Sequence, residues 1–195
     1  IFKISEVTMQ TISNLFILIF LIIFIVYTIR IIKYIKVIRS ISSKNKMLVK
    51  KAFPNLSEDE LKYRSANIAL YKKWHLDSKF KRNTQTVVSC LLIAIFTVYL
   101  ICLILSWTFI PIPLLSITFF LIAFLNINQP NMDEQLTFWN DYLKKYPNND
   151  LKIYIIDTES AKILSFANNK LRNYLFSSGI IFLICTVLLY ISTML

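Results

Sequence analysis

Apolar residues gather into four long runs, Ile12–Ile29, Val87–Trp107, Phe109–Ile127 and Leu175–Leu195, and none of these runs carries a charge. Each run has 18 to 21 residues. At about 1.5 Å per residue, that crosses most or all of a hydrocarbon core about 30 Å thick. The pattern predicts an all-α membrane protein with four transmembrane helices and helical extensions outside the bilayer. The predicted divisions are a short N-terminus (1–11), spans at 12–29, 87–107, 109–127 and 175–195, and two polar blocks at 30–86 and 128–174. The first run is too long for a signal-peptide core and lacks a small-residue cleavage site after it, so it reads as a retained helix.

The polar blocks keep a helical rhythm. Ile31, Tyr34, Ile35, Ile38 and Ile41 recur on one side of a helix, whereas Arg30, Lys33, Lys36 and Arg39 fall mostly elsewhere. This predicts an amphipathic extension of the first span. A break is expected at Ser42-Ser43-Lys44-Asn45 and a firmer one at Pro54-Asn55. Ser57 followed by Glu60 forms a capping box for the next helix, which is expected to run through Arg82 into the second span. Its apolar positions, Leu61, Ile68, Tyr71, Trp74 and Leu76, make no single narrow stripe, so contacts on more than one side are expected. In the second block, Asn131 and Glu134 mark another helix start, and Tyr146-Pro147-Asn148-Asn149 its end. Residues 151–166 read either as a hairpin or as a helix feeding the last span. The helix is preferred, with Asp157 or Thr158 as its cap.

Charge then orients the chain. Of 22 basic residues, Lys3 precedes the first span, 15 lie between Arg30 and Arg82, and six lie between Lys144 and Arg172. The short connection around Trp107–Pro113 has none. The positive-inside rule predicts both blocks on the cytoplasmic side and both termini outside (N-out/C-out). Trp107 suits the membrane interface, and Pro111 and Pro113 suit the first turn of the third span. With 15 basic and four acidic residues, the first block carries +11, equal to the net charge of the whole chain. Arg30, Lys33, Lys36 and Arg39 are therefore expected to fix topology and to hold anionic lipid headgroups on the inner side, at about 1 kcal/mol each near the surface. The second block is neutral, so the two blocks can pack without strong repulsion.

Composition adds two points. Mean hydropathy is +0.57 and 56% of residues are hydrophobic, more apolar than a soluble domain of this size. The single glycine excludes Gly-rich phosphate loops and GxxxG pairing. The expected setting is a bacterial inner membrane or, alternatively, an organelle inner membrane.

Candidate chemistry is sparse. Cys90, Cys102 and Cys185 all fall in apolar runs without metal-ligand spacing and read as small apolar residues. His75 stands alone, and the spans lack the acids that would mark an ion relay. No cofactor or metal is expected, and the chain does not read as an enzyme. The expected role is a non-enzymatic membrane subunit that anchors or regulates a protein partner through its cytoplasmic blocks, with Trp74, His75 and Trp139 as candidate contacts. Such a subunit could serve in defence or immunity, as a sensor, or as an accessory to a membrane complex. The competing reading is a homo-oligomeric pore or membrane-disrupting effector, gated by apolar helices and ringed by the Arg30–Arg39 bases. Nucleic acid is disfavoured, because no recognition motif accompanies the charge.

Overall fold

The computed structural model describes residues 2–105, 110–127 and 131–194. Among these residues six α-helices follow one another: α1 (Phe2–Ala52), α2 (Glu58–His75), α3 (Lys79–Ile104), α4 (Pro111–Ile127), α5 (Met132–Lys145) and α6 (Thr158–Met194). No strand occurs among the described residues. Among the described residues, three stretches are long and apolar enough to cross a membrane: Asn14–Ala52, Lys79–Cys102 and Thr158–Ile191. These point to a membrane protein. A fourth apolar stretch, Pro111–Asn126, is shorter. Trp107 and most of the connection before α4 lie outside the described residues.

Local signals explain where the helices begin and end. The α2 capping box forms as expected: the Ser57 hydroxyl accepts from the Glu60 N–H, and the Glu60 carboxylate accepts from the Ser57 N–H at 2.7 Å. Asn131 and Glu134 do the same for α5. At α6, the Asp157 carboxylate accepts from the N–H and the hydroxyl of Ser160, at 2.7 and 2.9 Å. Residues 153–156 neither pair as a hairpin nor join α6.

Two expected boundaries differ. The first concerns Ser42–Asn45, which does not break α1. Ser and Asn cost only a few tenths of a kcal/mol each inside a helix, and here tertiary contacts outweigh that. Lys44 reaches the Ser160 hydroxyl at 3.4 Å and Asp157 at 3.7 Å, Val49 is buried, and Lys50 meets Glu58 at 2.9 Å. Only Pro54 ends the helix, because the residue before proline is pushed out of the helical region.

The second difference is that α2 stops at His75 and does not run on to Arg82. Ser78 starts a new helix, its hydroxyl accepting from the Lys81 N–H at 3.2 Å. The Arg82 guanidinium turns back and donates to the carbonyls of Lys73, Trp74 and Asp77, at 3.1, 3.3 and 2.8 Å. The last carbonyls of a helix have no partner within it. Arg82 supplies one from the next helix, so the corner is stable without continuity.

The chain divides into two compact units. The first comprises Ile1–Lys33, Val88–Ile127 and Lys170–Leu195. Its helices approach through small buried residues: Cys102, Ser116, Ala123, Ser178 and Cys185. This is how helices associate where lipid removes the hydrophobic drive between them. The Ser116 hydroxyl donates to the Gly179 carbonyl at 2.8 Å, tying α4 to α6. Phe24, Phe119 and Phe182 form a ring cluster with centroids 4.7 to 5.9 Å apart. Cys90 is exposed.

The second unit comprises Tyr34–Val87 and Asn128–Asn169. Its centre is aromatic. Tyr71 of α2 packs against Phe138, Trp139 and Tyr142 of α5, with centroids 5.2 to 6.2 Å apart.

Candidate functional site

In the second unit, α2 has two unlike faces. Leu61, Arg64, Ile68 and Tyr71 turn inward or are half-buried. Tyr63, Leu70 and Trp74 lie seven and four residues apart, which puts them along one side of the helix. They are 74%, 55% and 61% exposed. The apolar positions of α2 make no single stripe because they lie on two faces, one packed and one exposed.

The tryptophans and histidine singled out in the sequence separate on this geometry. Trp74 belongs to the outer stripe, with the Arg82 guanidinium 4.8 Å from its ring centroid. His75 stacks on Tyr71 at 4.2 Å. Trp139 also meets Tyr71, so His75 and Trp139 share a neighbour inside the aromatic cluster, while Trp74 faces out. The bases Arg30, Lys33, Lys36 and Arg39 are all exposed, and none forms an ion pair among the described residues. Their apolar neighbours Ile31, Tyr34, Ile35 and Ile38 are half-buried, so this stretch of α1 is amphipathic as its pattern predicts.

Behind the inner face of α2 lies a cavity of about 280 Å³. Asn45 of α1, Arg64 and Ile68 of α2, Leu136 and Trp139 of α5, and residues 153–156 line it. Its irregular wall is held by one side chain. Asn149, itself left-handed at φ 48°, accepts from the Ile153 N–H at 2.6 Å and donates to the Ile153 carbonyl at 3.0 Å. The amide thus imitates a neighbouring strand for a buried residue. Lys152 is left-handed as well, at φ 52°.

Among the described residues, Arg64 is the only charged one lining this cavity. Its Nε donates to the Lys152 carbonyl at 2.7 Å, and its guanidinium lies 6.0 Å from the Phe53 ring centroid. It has no ion pair among the described residues, and partial burial lowers its pKa. The buried Oδ1 of Asn45 has no hydrogen-bond partner among them either. Asn45, Arg64 and Ser65 also border a second cavity of about 480 Å³. Nearby, Lys72 donates to Gln135 at 2.6 Å. Burial and then the charge of Lys81 lower the Lys72 pKa, while Asp77 acts against both.

Neither Arg64 nor Asn45 reads as a site residue in the sequence. An isolated arginine in a basic block carries no local signal of a cavity that depends on residues 88 positions away. Among the described residues, no group of His, Cys, Asp or Glu is placed to hold a metal ion. Comparison with known proteins returns no matching family model, no matching curated protein and no matching solved structure.

Proposed function

We propose that this protein is a non-enzymatic, multi-pass membrane subunit that docks a partner protein through the exposed face of α2. In this reading four helices span the bilayer. α4 has 17 residues, about 26 Å of helix, and serves as a short third span. Both termini face outward and the second unit lies on the inner side, where Arg30, Lys33, Lys36 and Arg39 meet anionic headgroups.

The observation that carries the reading is the stripe of Tyr63, Leu70 and Trp74. A helix whose inner face is packed has no folding need for large exposed rings on its outer face. Aromatic residues of this kind dominate the energetics of protein interfaces. His75 and Trp139 then act as support, holding α2 against α5 through Tyr71.

The test is recovery of the tagged protein from mild detergent, with mass spectrometry and native mass of the eluate. Trp74→Ala combined with Leu70→Ala should reduce recovery of a stoichiometric partner at least fivefold while leaving membrane insertion intact. Unchanged recovery would reject the docking face. A pure homo-oligomer of defined size would instead favour the pore reading, for which liposome flux is the next measurement. One observation suits that alternative: the apolar window of α1 contains no buried residue.

A further inference from the structure

We propose that the cavity bounded by Asn45, Arg64, Leu136 and Trp139 binds a small amphipathic carboxylate, its acid group on Arg64 and its apolar body against α5. The inference does not depend on a partner docking at α2. It starts from an uncompensated charge. A guanidinium has five N–H donors. One of these, on Nε, is taken by the Lys152 carbonyl. The other four have no protein acceptor among the described residues, and no carboxylate among them lines the cavity. Glu58 borders the neighbouring cavity, but it is paired with Lys50 at 2.9 Å and with Lys46 at 3.9 Å. A partly buried cation without a counterion is costly, and a bound anion removes that cost.

A planar carboxylate matches the fork of a single arginine, whereas a phosphate dianion would call for further cations that the lining does not supply.

The rest of the lining sets the body of the ligand. Ile68, Met132, Leu136, Trp139 and Ile153 offer apolar surface. A volume of about 280 Å³ is at the small end of ligand pockets and suits a molecule of about a dozen heavy atoms. The left-handed pair Asn149 and Lys152 has a role in this account, since it keeps Ile153–Ile156 out of α6 and along the cavity.

The experiment uses the full chain in lipid nanodiscs and equilibrium dialysis of 4-phenylbutyrate, with empty nanodiscs correcting for partition. The uncharged 4-phenylbutanamide is the matched control. Saturable one-to-one binding is expected, with the amide at least tenfold weaker. Arg64→Ala should weaken the acid at least tenfold and leave the amide unaffected. Ser65→Trp, at an exposed position bordering the cavity, should block both probes without disturbing the core. Uptake no greater than in empty nanodiscs would overturn the proposal. So would equal affinity for acid and amide, or wild-type affinity in Arg64→Ala or Ser65→Trp. Should Arg64→Ala fail to fold, the acid–amide comparison and Ser65→Trp decide the matter.

Discussion

Replacing Gly179 by alanine tests the close approach of α4 and α6. A Cβ built at Gly179 lies 3.0 to 3.1 Å from three atoms of the Phe120 ring. The ring cannot swing away freely, because it packs edge-on against Phe176 with centroids 5.2 Å apart. Forcing a methyl into a packed site costs about 1–3 kcal/mol. Against this, alanine is favoured over glycine inside a helix by about 1 kcal/mol. If the helices move apart to relieve the clash, the Ser116–Gly179 hydrogen bond at 2.8 Å also lengthens. Such bonds in membranes are worth about 0.6 kcal/mol. The expected balance is a loss of about 1–2 kcal/mol, read by reversible unfolding in mixed detergent micelles. Phe120→Leu removes most of the obstructing ring, so it should cost about 1 kcal/mol less in the Gly179→Ala background than in the wild type. A Gly179→Ala protein about 1 kcal/mol more stable than wild type, with an additive cycle, would refute the argument. Helix propensity would then be acting alone, and the helices would not be in contact at this point.

Two further outcomes follow from the second unit. Asn149→Ala leaves the N–H and C=O of the buried Ile153 without partners, so a loss of about 1–3 kcal/mol is expected in thermal unfolding. Asn149→Asp, which keeps only the acceptor, should fall between the two. At the start of α6, the Ser160 N–H, and then its hydroxyl, hold the Asp157 carboxyl below its usual pKa. The stabilisation is complete above the unfolded carboxylate value of about 4 and is lost as pH falls through the lowered folded value. The protection of the amides in the first turn of α6, taken relative to intrinsic exchange, should therefore fall on acidification below about pH 4, and Asp157→Asn should remove that dependence.

What the sequence reveals is what lies close along it. The capping boxes at Ser57 and at Asn131 each involve residues three positions apart, and both form. The amphipathic run from Arg30 to Arg39 is equally local. The reading failed where a distant side chain intervened. Ser42–Asn45 looks like a break until Asp157, Ser160 and Glu58 are placed beside α1. The α2–α3 corner looks continuous until Arg82 is seen to satisfy the end of α2. Gly179 is plain in composition, but its role depends on Phe120, which no spacing rule connects to it. The Arg64 cavity was invisible for the same reason: four separate stretches of chain build it.

The Arg82 side chain also joins two events. Its guanidinium lies over Trp74 and, at the same time, closes the last turn of α2. A molecule that takes the place of Arg82 on the Trp74 ring would release three carbonyls to water and loosen the end of the helix. Arrival at the outer stripe would thereby be converted into fraying at a defined point. The amides of Leu76 and Asp77, which both donate to the Lys72 carbonyl, are natural reporters of that occupancy.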